Sequence, residues 1–458
     1  MVVLGLGVSG RAARAALVER GAVVVTVDQR DPSADHDDAA ALDLGRVALV
    51  VASPGWRPSH PAVARAVAEG VPVWSEVELA WRLRADRRDG HGPAPWLAVT
   101  GTNGKTTTVG MLTAVLTAAG LRAAAVGNIG TPVTAAATDP ALDVLAVELS
   151  SFQLHFTRSM RPLAAAVLNI APDHLDWHGG LAAYAAAKAR VYHGAEVACV
   201  YDVSDPRLAG LVRDADIPEG ARAIGFTSGL PEPGQLGLEG QALVDRAFPG
   251  PDARTELADL DDLAHLGGPG GAVAPYTVSN ALAAAALARA NGVGPEAVRD
   301  GLRRYQPAAH RSTPVATADG VAYVDDSKAT NAHAAAASLA GFAPGSVVWI
   351  AGGLAKGAQF GDLVVRRRDR LRGVVLIGTD QAPWVEALSR HAPAIPVVRI
   401  DPADTGTVMT RAVDQARRLA RPGDTVLLAP AGASMDQFAS YEERGDVFAR
   451  AVLAKTDG

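Results

Sequence analysis

Between residues 96 and 120 the chain reads Trp96-Leu97-Ala98-Val99-Thr100, then Gly101-Thr102-Asn103-Gly104-Lys105-Thr106-Thr107. The apolar positions Val109, Leu112, Val115 and Leu116 follow at helical spacing, and Gly120 is placed to end the helix. A buried strand, a tight glycine turn and a helix in that order restrict the chain to α/β folds. The helix start points backbone N–H groups and the positive end of a dipole at an anion. Lys105 adds a cation for the terminal phosphates of a nucleotide, and the Thr106 hydroxyl is suited to Mg2+. The common phosphate-loop pattern has its first glycine five residues before Gly104; Val99 stands there, so this loop is a variant.

The rest of the chain repeats the alternation of short apolar runs with longer Ala/Leu/Val stretches of helical period. Its 458 residues exceed one hydrophobic core, and three α/β blocks are expected. The first, residues 1–92, has strands near Val2–Leu4, Val23–Val27 and Val47–Val51, and ends in the charged segment Arg82–Gly92 with Pro93 and Pro95, read as a linker. The second, 93–307, opens on Trp96–Thr100. It carries a Gly-, Pro- and Asp-rich stretch from Asp202 to Pro275, read as irregular or antiparallel, and then a helix Thr277–Asn291. The third, 308–458, has candidate strands Val321–Val324, Val347–Ile350, Val374–Ile377, Val397–Ile400 and Thr425–Leu428. Most of these end at small or polar residues, where open α/β sheets place their ligands.

A second glycine motif, Gly5-Leu6-Gly7-Val8-Ser9-Gly10, follows the first strand and precedes a helix Arg11–Arg20, with Asp28 ending the next strand. By pattern this is a dinucleotide fingerprint, and an NAD-dependent oxidoreductase is one reading of it. The block is short for two mononucleotide-binding halves, however, and another nucleotide loop follows. The same geometry cradles any diphosphate, with Asp28 and Arg30 reading the nucleoside.

A formal net charge of -6 argues against nucleic acid or an anionic membrane as the main partner. Arg366–Arg368 reads as a solvated helix face. Cys199 is the single cysteine, in the apolar run Val197–Val200, so a buried strand thiol in a reducing compartment is expected. With neither an export leader nor a run of about twenty apolar residues, a cytoplasmic protein without membrane insertion is expected.

Further segments carry a resemblance. Besides Gly101–Thr107 they are Gly127-Asn128-Ile129-Gly130, Glu148-Leu149-Ser150-Ser151-Phe152-Gln153-Leu154, Asn169 to Asp176, Asp325-Asp326-Ser327-Lys328-Ala329-Thr330-Asn331, and Leu428 to Phe438. In order along the chain they resemble the Mur ligases, and among these the members that add D-glutamate to UDP-N-acetylmuramoyl-L-alanine. The resemblance implies an N-terminal Rossmann-like domain, a central P-loop ATPase-like domain with a mainly parallel sheet, and a C-terminal Rossmann-like domain that closes over ATP. It also implies ATP-driven amide formation through an acyl phosphate, in peptidoglycan precursor synthesis, by a monomer.

Residue by residue, the resemblance makes the loop Gly101, Thr102, Asn103, Gly104, Lys105, Thr106 and Thr107 the ATP cradle. Thr106 and Glu148 become Mg2+ ligands, and His174 holds a second Mg2+ with a carbamylated Lys188. Asn280, Arg311 and Asp326 match adenine and ribose contacts, and Lys328 lies near the transferred phosphate. Ser9, Asp28 and Arg30 fall at the uridine end, with Asn128 and Ser150 on the muramoyl-alanine. Thr330, Lys356, Ser434 and Tyr441 take the D-glutamate. His155 and His178 read as surface or packing residues, and by composition Asn280 reads equally as polar helix surface and Lys188 as a surface lysine. Three positions depart from the family: Gly432 stands where cysteine is frequent, Gln359 where an acid is, and Tyr441 where phenylalanine is. Rival readings are a relative adding L-alanine, a diamino acid or glutamate to folate, and a P-loop switch protein that hydrolyses ATP without any amino acid.

Overall fold

The computed structural model describes residues 1–248, 253–267, 273–307, 309–403 and 406–454. The chain separates into two compact units. The first comprises Met1–Ile170, Trp177–Asp262 and Val278–Tyr305; the second comprises the short segments Ala171–Asp176 and Leu263–Thr277 with the chain from Gln306 onward.

Two sheets build the first unit. Strands β1 (Val2–Leu4), β2 (Val25–Val27), β3 (Val50–Ala52) and β4 (Val73–Ser75) form a parallel sheet in the order β2-β1-β3-β4. Valine fills it because its branched side chains pack well on a pleated, enclosed surface, and Val2, Val3, Val27, Val50 and Val51 are buried. Because β2 and β3 lie on opposite sides of β1, the winding reverses there, and the loop after β1, Gly5–Gly7, with the helix start at Val8 and Ser9, occupies the carboxyl end of the reversal point.

The second sheet comprises β5 (Trp96–Thr100), β6 (Ala123–Gly127), β7 (Val144–Glu148), β8 (Ala164–Val167), β9 (Ala198–Asp202), β10 (Arg222–Phe226), β11 (Gln235–Glu239), β12 (Ala242–Asp245) and β13 (Thr255–Asp259). Its order is β13-β12-β11-β10-β9-β8-β5-β7-β6. It is parallel from β6 to β11 and ends in an antiparallel meander, β11-β12-β13, inside the stretch expected to be antiparallel or irregular. Cys199 is buried on β9, and burial pushes its thiol up to about 12, an inert strand thiol as expected.

The second unit holds β14 (Thr313–Ala318), β15 (Val321–Asp325), β16 (Val347–Gly352), β17 (Leu371–Ile377), β18 (Val397–Arg399) and β19 (Thr425–Ala431), in the order β14-β15-β19-β16-β17-β18. Alternate residues of β16 enter two separate cores: Val347, Trp349 and Ala351 one, Val348 and Ile350 the other. Helices therefore cover both faces, which is why the parallel strands read as continuous apolar runs. The antiparallel β14 was not expected; Asp319 and Gly320, both at positive φ, turn it into β15, an Asp-Gly hairpin signal present in the sequence.

Other differences are local. The first helix runs Val8–Glu19, inside the glycine motif, and the helix expected at Thr277 begins at Pro275. The segment read as a linker is ordered, with the Arg84 guanidinium 3.1 Å over the Trp81 ring and a bridge between Asp86 and Pro93. Residue 308, the expected start of the third block, lies outside the described residues.

Candidate active site

The phosphate loop joins β5 to the helix Lys105–Ala118. Gly104, at the helix start, has φ +84, and a Cβ there would run into Asn280 Oδ1, so only glycine suits the position. Asn280 is accordingly buried against the loop, accepting from the Thr108 hydroxyl at 3.3 Å, and is not helix surface. Asn169 holds the turn from the other side: its Oδ1 accepts from Asn103 N–H at 2.9 Å, its Nδ2 donates to Asn103 O at 3.1 Å, and its carbonyl accepts from Thr102 N–H at 3.0 Å. No site role was read for Asn169 from the sequence, although it opens one of the motif segments. Thr107 is the third residue of the same helix.

Within the loop, Lys105 Nζ donates to the carbonyls of Gly101 (2.8 Å) and Thr102 (2.9 Å). The Thr106 hydroxyl donates to Glu148 Oε2 at 2.7 Å, and Asn128 Nδ2 to Oε1 of the same carboxylate at 2.9 Å. Glu148 ends β7 directly beside β5, so strand pairing delivers its carboxylate to the helix start. Lys188 is 2% exposed, not a surface lysine. Its Nζ donates to Gly101 O (2.8 Å) and Thr100 Oγ1 (3.2 Å) and lies 4.8 Å over the Tyr184 ring.

These contacts fit a hard cation. A hydroxyl and a carboxylate meet at an anion-binding helix start, the oxygen set Mg2+ takes when substrate phosphates complete its shell. Among the described residues no group of three His, Cys, Asp or Glu side chains forms an all-protein metal cage.

Ser150 caps the helix Ser151–His155 in a reciprocal capping box with Gln153. Gln153 Nε2 in turn donates to the buried Glu76 at 2.7 Å. Glu76 was not identified from sequence; burial raises its pKa, while bonds from Gln153 and Ser9 lower it. At the first glycine loop, Asp28 accepts from Leu6 N–H (2.6 Å) and Arg30 N–H (2.8 Å), bonds that hold its carboxyl below the usual range. Arg30 and its neighbour Gln29 are exposed. His155 and His178 do pack, in an aromatic cluster with Phe152, Phe156 and Trp177, and His178 also meets the Ser151 hydroxyl at 2.9 Å.

The second unit gathers its own set. Asp326, after β15, accepts from Ser312 N–H at 3.2 Å; burial raises its carboxyl to about 6 against the pull of Ser338, Ser312 and Arg311. Lys328 Nζ sits 3.8 Å over the Tyr441 ring, and Thr330 N–H donates to Lys328 O at 2.8 Å. Ser434 is buried after β19, whereas Lys356, at φ 50, is exposed. His174, also at positive φ, has its Nε2 3.6 Å from Asp173 Oδ2.

Two residues hold this set together, and neither was identified from sequence. Arg444 is fully buried: Nε donates to Ser327 Oγ (2.9 Å), Nη2 to Ser327 O (2.8 Å) and Nη1 to Gly432 O (3.0 Å). It sits among charged neighbours in Tyr441–Leu453 and reads as surface by pattern. His310 Nδ1 pairs with Asp325 at 2.6 Å. At Gly432 a Cβ would lie 2.8 Å from Gly352 O, so any side chain at this position needs a backbone shift.

Comparison with known proteins follows the same division. The Mur ligase middle domain matches residues 99–224, and the Mur ligase glutamate ligase domain residues 310–432. The UDP-N-acetylmuramoylalanine–D-glutamate ligase of Streptomyces avermitilis is 57% identical, covering 99% of this chain and 97% of that protein. Its namesake from Thermobifida fusca is 53% identical over the same shares. The solved UDP-N-acetylmuramate-alanine ligase of Thermotoga maritima shares the fold, with TM-score 0.60 at 17% identity over 99% of both chains. A MurF ligase from Thermotoga maritima in complex with ADP gives a TM-score of 0.55 at 17% identity over 89% of this chain and 90% of that one. With the variant phosphate loop, its Thr106–Glu148 contact and more than half of all residues shared with such relatives from end to end, the chain belongs to the Mur ligase family.

Proposed function

We propose that the protein is an ATP-dependent ligase that joins the alanine carboxylate of UDP-N-acetylmuramoyl-L-alanine to the amine of D-glutamate. The identity to D-glutamate-adding ligases along the whole chain supports this reading. So does one observation above the rest: the Thr106 hydroxyl against Glu148 at the start of a phosphate-binding helix.

The reaction has two steps. An alanine carboxylate oxygen attacks the γ-phosphorus of ATP, and ADP leaves with the electron pair of the broken P–O bond. The D-glutamate amine then attacks the acyl phosphate carbon, loses a proton, and expels inorganic phosphate. Both steps bring anions together, so the protein's work is positioning and charge compensation.

Lys105 exchanges its loop carbonyls for the outer phosphates. Thr106 and Glu148 would hold one Mg2+, which supplies neutralisation of phosphate charge when bound. The resemblance to the family assigns Lys188, carbamylated, and His174 to a second. A carbamate requires the neutral amine. Asn280 sets the loop, and Arg311 and Asp326 take the adenosine. Ser9, Asp28 and Arg30 take the uridine end, with Asp28 acting by fixing the glycine loop; Asn128 and Ser150 face the muramoyl-alanine. Lys328 offsets charge on the departing phosphate, and Thr330, Lys356, Ser434 and Tyr441 bind the two carboxylates of D-glutamate. The proposed domain limits are 1–92, 93–307 and 308–458; that each interval contains one of the three sheets supports them.

Phosphate release decides between readings. With UDP-N-acetylmuramoyl-L-alanine and ATP it is expected to require D-glutamate, and L-alanine, L-glutamate or a diamino acid are expected to give background rates. Equal release without amino acid would support a nucleotide switch instead. Lys105→Ala is expected to abolish turnover at an unchanged melting temperature.

A further inference from the structure

One cavity of the first unit shares none of the proposed nucleotide, metal or substrate residues. It is an open groove of about 1200 Å3. One wall comes from the helix Pro61–Ala68 and β4; the other comes from residues 155–160, the end of the helix Leu181–Ala189, and residues 211–216.

Its floor is apolar. Val63, Phe156 and Met160 are buried there, and Val67 stands 59% exposed at the lip. At one end three basic groups crowd together. The half-buried His155 is held in its neutral form by burial and by the charges of Arg190 and Arg158. Arg190 has its own basicity lowered by burial and by Arg158. The Arg190 guanidinium donates to the carbonyls of Leu154 and His155, and neither arginine forms an ion pair among the described residues. The acids of the groove, Asp216 at 3.3 Å from His193 and Asp214 at 3.4 Å from Arg213, are largely exposed to solvent and contact neither Arg158 nor Arg190.

Both guanidinium groups keep surface open to the groove, so an acidic group arriving beside the apolar floor meets two cations. The volume suits a small molecule. We propose that the groove binds a small organic anion, an apolar or aromatic body carrying one acidic head group held between Arg158 and Arg190. The body would lie along Val63, Val67 and Met160. An occupant would contact both walls, and so fasten β4 and its helix to the second sheet. The proposal does not depend on the ligase reading.

The test uses 4-phenylbutyrate and octyl phosphate as probes, each beside its neutral analogue, 4-phenylbutyramide and octanol. Binding is measured by calorimetry on the full chain with ADP saturating. At least one acid is expected to bind saturably, and its neutral analogue at least about tenfold more weakly. Arg158→Gln, an exposed site whose side chain supports nothing else, is expected to weaken the acid about tenfold at an unchanged melting temperature. Val67→Asp should weaken it as well, by placing a like charge on the apolar lip. Arg190→Gln is a poorer probe, because it also uncaps two carbonyls. Absence of saturable binding by both acids would overturn the proposal. So would equal binding of acid and neutral analogue, or indifference to Arg158→Gln.

Discussion

At the scale of single residues, the partly buried Asp326 and the buried Arg444 in the second unit control stability in opposite senses. Asp326 is held up at about 6, chiefly by burial. Between about pH 4 and 6 the folded chain therefore keeps a proton that the unfolded chain has released, so stability falls as pH rises through that window. The whole penalty, on the order of 2–3 kcal/mol, is present above it. Asp326→Asn is expected to raise the melting temperature relative to the parent by a gap that opens across this window and is constant at higher pH; a gap independent of pH would refute the assignment. Arg444 stabilises. Its three donors join Ser327 to Gly432, and lysine, a point donor, cannot reach all three acceptors. Arg444→Lys is expected to cost about 3 kcal/mol in urea unfolding followed by a probe in the second unit.

At the scale of elements, the phosphate helix depends on a neighbour. The helix Pro295–Arg304 lies so close to Lys105–Ala118 that a Cβ at Gly301 would press into the Val115 backbone. Gly301→Ala is expected to destabilise by roughly 1–3 kcal/mol and, by tilting the helix that carries Lys105, to raise the KM for ATP. A melting-temperature loss without a KM change would mean that the helix start is held independently, by Asn169 and Asn280. This is also where the sequence was most and least legible. The strand, turn and helix around Lys105 could be read because strand burial, glycine and helical period are local signals. Glu148 was legible as a strand-end acid. Asn169, Glu76, His310 and Arg444 were not read as site residues, because their importance lies in partners distant along the chain: Gln153 lies 77 residues from Glu76, and Ser327 lies 117 from Arg444. Antiparallel β14 was missed although its Asp-Gly turn was visible. Asn280 and Lys188 were ambiguous by composition, and only packing removes them from the surface.

At the scale of the whole molecule, each sheet carries its own apolar core, from Val2 and Val50 in the first to Trp96 and Val147 in the second and Trp349 and Val375 in the third. No helix among the described residues is long and apolar enough to cross a membrane. Among the described residues no three His, Cys, Asp or Glu side chains converge. The proposed Mg2+ ligands, Thr106 and Glu148, already satisfy one another by a hydrogen bond of 2.7 Å. Metal and fold should therefore separate cleanly, unlike proteins whose structural ion supplies folding energy. Excess chelator is expected to abolish D-glutamate-dependent phosphate release while leaving the ligand-free melting temperature within about 1 °C, and Mg2+ should restore turnover in full. With ADP present, Mg2+ should raise the melting temperature by mass action, because ion and nucleotide bind only the folded state. Glu148→Gln removes the charge but keeps the shape; it should lose that Mg2+-dependent increment while melting like the parent without ligand. A chelator that lowered the ligand-free transition would place a structural ion in the fold and break the separation between scaffold and chemistry.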